Sequence, residues 1–210
     1  MCTKLYFIHQ GVLRGVKYYR EKEISTWFGT DNMTRIEQLP DERASDEVQA
    51  LYQSLKKKIG RVPNVYRVYA HSPTALRANL ALEDTLAQGE LSEAEAEIIA
   101  LVVSETNGCA YCLAAHTAIG KMQGLTEAQL MYIRRGKHSA PKQQPLINFT
   151  RAVLENRGHV AEKDLRAFLT AGYTPGAVVE VVGHIAKNIL NNYTNSLAGT
   201  DLDFPAAKPV

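Results

Sequence analysis

From about residue 40 onward, nearly every signal in this 210-residue chain is the start, the period or the stop of a helix. Val48, Leu51, Tyr52, Leu55 and Ile59 recur at helical spacing over Asp46 to Lys58. Ser72-Pro73 pairs an N-cap with a proline at the first helical position, and Gly89 offers a stop. Ser92-Glu93-Ala94-Glu95 and Thr126-Glu127-Ala128-Gln129 are capping boxes, where side chain and backbone satisfy each other's free amides. The first opens a helix through Ile98, Ile99, Leu101, Val102 and Val103, broken at Asn107-Gly108; the second runs to Gly136. Helices are expected from Pro145 to about Asn156 and from Glu162 to about Ala171, and Thr174-Pro175 opens a last long one that closes at Gly199. Strand signals are scarce, because the alternation at Tyr66-Arg67-Val68-Tyr69 is too short to carry a sheet. The fold class is therefore all-α, a bundle of roughly seven or eight helices over residues 40–200 with an extended tail from Asp203 to Val210.

Residues 1–32 read differently: they hold Trp27, three of the ten tyrosines and two of the five phenylalanines, with little helical period. They are expected to be an extension of uncertain role outside the core; a short ordered arm packing on a neighbour is the other reading. The remaining residues, 33–210, are taken as one domain.

Charge and cysteine usage narrow the function. A net charge of +2 leaves no broad basic footprint for nucleic acid, and Lys56-Lys57-Lys58 reads as a solvated helix end. No apolar run is long enough for a membrane span, and the short apolar stretch near Met1 lacks the features of a secretory signal. Three cysteines, Cys2, Cys109 and Cys112, do not make a secreted disulfide scaffold. A reducing cytoplasmic setting is expected, where a Cys-x-x-Cys serves catalysis or metal binding more often than structure.

The chemistry concentrates in Cys109-Ala110-Tyr111-Cys112 and His116. A helix starting near Cys109 lines both thiols and the imidazole along one stripe, and places His116 four residues after Cys112. The helix N-terminus favours a thiolate, and an imidazole can take its proton. A thiolate that attacks a peroxide becomes a sulfenic acid, which a nearby thiol condenses to a disulfide; exchange with a disulfide substrate would use the same parts. Glu97 falls near the apolar face of the preceding helix. If the two helices pack antiparallel it can approach His116; otherwise it is a solvated glutamate at an acidic helix start. The pair also admits two plainer readings, small apolar core residues or three ligands of a zinc site.

The stretch Leu91 to Ser104, with Asn107-Gly108-Cys109-Ala110-Tyr111-Cys112 and His116, resembles the AhpD-like alkylhydroperoxidases of the carboxymuconolactone decarboxylase superfamily. The likeness spans roughly residues 40–205, and Asn191-Asn192-Tyr193 and Asp203-Phe204-Pro205 are similar to its peroxidase-related branch. The resemblance implies an AhpD-like helical bundle that assembles as a homo-oligomer, a trimer or hexamer. It implies a thiol peroxidase acting on organic hydroperoxides or hydrogen peroxide, with no cofactor beyond a redox-active Cys109–Cys112 disulfide and an external dithiol reductant. It assigns Cys112 as the peroxidatic thiol, Cys109 as the resolving thiol, and His116 with Glu97 as the proton relay. Helix-end reasoning alone favours Cys109 as nucleophile; the position of His116 favours Cys112. The family's best-known pattern has a second histidine where this chain has Tyr111, a poor base at neutral pH. A replacement relay would have to come from elsewhere, with His184 or Tyr193 on the last helix as candidates; a packed or interface histidine is the other reading of His184. Decarboxylase chemistry in the same superfamily, general thiol–disulfide exchange and a non-enzymatic redox-sensing scaffold are the alternatives.

Overall fold

The protein's structure is a computed structural model that describes residues 34–210. The expected extension 1–32 lies outside the described residues, as does Met33.

Among the described residues there are nine α-helices after a short 3-10 turn at Asp41–Arg43. They are α1 (Asp46–Ile59), α2 (Asn64–Tyr69), α3 (Pro73–Leu86), α4 (Glu93–Thr106), α5 (Ala110–Met122), α6 (Glu127–Arg134), α7 (Gln143–Glu155), α8 (Glu162–Thr170) and α9 (Pro175–Ala198). The all-α bundle is as expected. The ninth helix is α2, six residues over the alternating Tyr66–Tyr69 stretch, with Val65, Tyr66, Val68 and Tyr69 buried. A helix buried round most of its circumference shows no apolar stripe, so its period is not visible in the sequence.

The capping residues form as their chemistry requires. Ser45, Ser72 and Thr174 each accept a hydrogen bond from the backbone three residues on, and the capping boxes at Ser92 and Thr126 are both closed. Two expected boundaries move. Helix α7 begins at Gln143, ahead of Pro145, because a helix's first turn has no amide partner for proline to remove. Helix α3 stops at Leu86, and Gly89 lies beyond it in the turn, where a Cβ would collide with the Glu180 carboxylate. That carboxylate accepts from the backbone amides of Glu90 and Leu91, tying α9 to the loop before α4.

Helix α4 is the centre of the bundle, packed by α5, α6, α7 and α9. Its residues from Glu97 to Ser104 are all buried. One apolar cluster joins α4 to α6–α9 through Ile99, Leu101, Leu130, Ile147, Phe168 and Val181. A second gathers α1–α3 around Val48, Tyr52 and Leu76, and takes in Cys109, Tyr111 and Cys112 from the start of α5. The thiols thus sit in a wall of the core, at the seam between the two clusters.

Phe168 is fully buried and stacks between Phe149 and Tyr173, with centroids 4.5 and 4.2 Å away. Phe168→Ala should lower stability by about 3–5 kcal/mol in urea denaturation. A loss near zero would mean that this stack does not hold α7 and α8 together.

Candidate active site

The turn between α4 and α5 sets the site. Asn107 caps α4, and Gly108 adopts φ +64°, a left-handed conformation that favours glycine. The chain reverses there, so α5 returns beside α4. Cys109 is the N-cap of α5, and its Sγ accepts a hydrogen bond from the Cys112 amide at 3.3 Å. Both thiols are free and closed to solvent, with Cys109 2% and Cys112 3% exposed.

The same reversal brings Glu97 to His116. Glu97 Oε1 lies 2.9 Å from His116 Nδ1, within the protein. This contact assigns Nδ1 to the carboxylate and leaves Nε2 for proton transfer. Burial disfavours the imidazolium, but the Glu97 charge and hydrogen bond outweigh it, so the His116 pKa is raised above its ordinary value. The structure therefore brings Glu97, His116, Cys112 and Cys109 into one cluster.

The two sulfurs diverge. The Cys109 thiol hydrogen-bonds to Cys112 and, against the burial that opposes it, pulls the Cys112 pKa down to about 7; His116, Asn195 and Asn192 act in the same direction. Cys109 is pushed up, first by the neighbouring Cys112 and then by burial. Partners of the sulfur thus outweigh proximity to the helix end, and Cys112 is the thiol poised to ionise.

Sequence reasoning gave no role to the asparagines on α9, although Asn191 and Asn192 fall in the segment that carries the family likeness. Asn188, Asn191, Asn192 and Asn195 stand at i, i+3, i+4 and i+7, and that spacing on one face of the helix was the available signal. Asn195 Nδ2 donates to Cys112 Sγ at 3.3 Å. Asn192 accepts from Asn107 Nδ2 at 2.9 Å and donates to Ser104 Oγ at 3.3 Å, locking α9 to the end of α4. Asn191 accepts from the Tyr69 hydroxyl at 3.1 Å and from Asn79 at 2.7 Å.

Tyr111 faces away from this chemistry. Its hydroxyl donates to Asp203 Oδ1 at 2.7 Å and accepts from the Val65 amide at 3.2 Å, and its ring meets Phe204 edge-on. Arg61 covers Phe204 and bonds to the Asp203 carbonyl. The residue in the second-histidine position thus fastens the C-terminal tail. His184 is buried, its Nε2 has no partner among the described residues, and burial lowers its pKa. Tyr193 lies on the exposed face of α9. A cleft of about 270 Å³ opens between α5, α6 and the tail, lined by Lys121, Glu127, Arg134 and Lys208, with none of the thiol-site residues on its walls.

Residues 73–140 match the sequence profile of the Carboxymuconolactone decarboxylase family. No curated protein matches the chain. Among solved structures, the chain is similar to an AhpD-core, uncharacterized peroxidase-related protein from Ralstonia eutropha JMP134. The two share 26% identity over 80% of this chain and 93% of that one, with a TM-score of 0.72. A peroxidase-related protein from Silicibacter sp. TM1040 shares 24% identity over 82% of this chain and 95% of its own, with a TM-score of 0.73. The debrominase Bmp8 has the same fold at 16% identity, covering 82% of this chain and 94% of its own, with a TM-score of 0.69.

Glu97→Gln keeps an acceptor beside His116 but removes the charge. Ring-proton NMR titration should then show the His116 pKa falling below its ordinary 6.5, where burial alone would put it. In the parent, the folded-state pKa lies above the unfolded one. The stabilisation is therefore complete below about pH 6.5 and lost as pH rises through the folded value. The stability gap between parent and variant should narrow with rising pH in that window. A gap independent of pH would refute the coupling.

Proposed function

Because the chain is an AhpD-like member of the carboxymuconolactone decarboxylase superfamily, we propose that it is a thiol-dependent peroxidase that reduces hydrogen peroxide or organic hydroperoxides in antioxidant defence. The observation that carries this reading is the pair of buried thiols at the start of α5, with one sulfur's pKa lowered and the Glu97–His116 pair beside it.

The steps follow from the arrangement. His116, oriented through Nδ1 by Glu97, takes the Cys112 proton on Nε2. The Cys112 thiolate attacks the terminal peroxide oxygen; the O–O bond breaks and the departing oxygen takes the proton back from His116. Cys109, three residues earlier on the same turn, condenses with the Cys112 sulfenic acid and water leaves. An external dithiol then reduces the Cys109–Cys112 disulfide. The cycle calls for no further cofactor.

General thiol–disulfide exchange would use the same sulfurs. The closure of both thiols, 2% and 3% exposed, favours a small peroxide over the disulfide of a protein partner. The same closure favours a small dithiol as electron donor. A reducing cytoplasm would keep such a donor available; no helix among the described residues is long and apolar enough to cross a membrane.

A homo-oligomer belongs to the same reading. Val179, Val182, Ala186, Leu190, Tyr193 and Leu197 form an exposed apolar stripe along the outer side of α9. A trimer or hexamer would bury it, and with it the back of the helix that carries Asn192 and Asn195. Leu197→Asp should then shift the protein to a smaller species in size-exclusion chromatography with light scattering. An unchanged mass, or a monomeric parent, would remove α9 from the assembly.

Cys112→Ser should abolish peroxide consumption in a dithiol-coupled assay. Cys109→Ser should consume one equivalent and leave a sulfenic acid that a dimedone probe traps on Cys112. Steady-state turnover in both variants would refute the mechanism.

A further inference from the structure

The thiol relay gives no step to Asn195, one of two buried amides, with Asn192, that act on the reacting sulfur. Asn195 is 3% exposed. Its Nδ2 donates to Cys112 Sγ at 3.3 Å, and its Oδ1 is buried with no partner among the described residues. A carboxamide held by sulfur at one end and unpartnered at the other destabilises the fold until a donor completes it. Amide nitrogen and oxygen share one carbon, so the open acceptor belongs to the same rigid carboxamide that contacts the sulfur.

We propose that Asn195 is a catalytic residue of the peroxide reaction: its amide holds the Cys112 sulfur as an anion, and its carbonyl accepts the O–H of the incoming hydroperoxide. This rests on the peroxidase reading and deepens it by naming the substrate class as one with a terminal O–H, hydrogen peroxide or an organic hydroperoxide.

The chemistry balances. The thiolate donates an electron pair to the terminal oxygen, the S–O bond forms and the O–O bond breaks. The sulfur is oxidised by two electrons and the peroxide reduced by two. The attacked oxygen keeps its hydrogen, and the O–H of the sulfenic acid goes on donating a hydrogen bond to Asn195 Oδ1. The departing alkoxide or hydroxide takes the proton held on His116.

The titratable groups around Cys112 are Cys109 and His116 from α5, and Tyr69 from α2. Glu97 from α4 and Lys187 from α9 act on it through His116. The Tyr69 hydroxyl is already engaged with Asn191 and Thr194. Asn195 thus combines a bond to the sulfur with an unfilled acceptor.

The test uses the full chain in a Cys109→Ser background, with Cys112 followed by mass spectrometry of its peptide. One arm measures iodoacetamide alkylation against pH. The other measures sulfenic acid formation with hydrogen peroxide. Asn195→Ala should raise the alkylation midpoint and slow alkylation at pH 7 by about fivefold to tenfold. At a pH above both midpoints, alkylation should match the parent, while oxidation stays slower by at least about fivefold. Asn195→Asp, nearly identical in shape, should raise the midpoint further and keeps the test open if the alanine variant fails to fold. Asn188→Ala removes an equal amide two turns earlier and should leave both arms unmoved.

An unshifted midpoint in the Asn195 variants, or an equal shift in Asn188→Ala, overturns the role. A shifted midpoint with parental oxidation at high pH overturns the contact with peroxide. A parent that alkylates normally but never oxidises fails the peroxidase reading instead, and the alkylation arm still decides the hold on sulfur.

Discussion

A carboxylate in the wholly buried middle of a helix must find its partner inside the protein. Glu97 is in that position: α4 is surrounded by four other helices, and the residue is 7% exposed. An unpaired charge there would cost several kcal/mol. His116 supplies the partner at 2.9 Å, and the reversal at Gly108 is what delivers it. Once His116 is held by Glu97, its other nitrogen and the Cys112 sulfur share one turn of α5. The local order of the site follows from the burial of one acid on the central helix.

That dependence explains what was legible in the sequence. The helices declared themselves through local signals: Ser92, Thr126 and Thr174 each act within three residues of themselves. The thiol pair and His116 were legible for the same reason, since they share one short helix and its spacing fixes their common face. Glu97 could be read only by assuming how α4 and α5 pack, because nothing within its own helix separates a buried acid from a solvated one. Helix α2 and the start of α7 were harder, since a nearly surrounded helix has no stripe and a first-turn proline looks like a boundary.

The asparagines show where local reading ends. Asn195 meets Cys112 across 83 residues of sequence, and Asn192 meets Ser104 across 88. Their spacing marks a polar face on α9, but the object of that face is set by tertiary packing alone. Tyr111 gives the opposite case. Its position in the Cys-x-x-Cys invites a chemical role, while its hydroxyl is taken by Asp203 from the far end of the described chain. A residue's place in a motif fixes where its backbone sits; its partners decide what the side chain does.

The anchoring of Tyr111 bears on how oxidation can proceed. The residue lies between the two cysteines in sequence, and its ring and hydroxyl join the first turn of α5 to α2 and to the tail. The backbone linking Cys109 to Cys112 is thereby pinned at its midpoint. The proposed disulfide across that turn would then form by rotation about the cysteines' own side-chain bonds, with the main chain held in place. Reduced and oxidised states would then differ by small sulfur movements on a common scaffold, and the proposed thiol cycle would run without repeatedly opening the core around it.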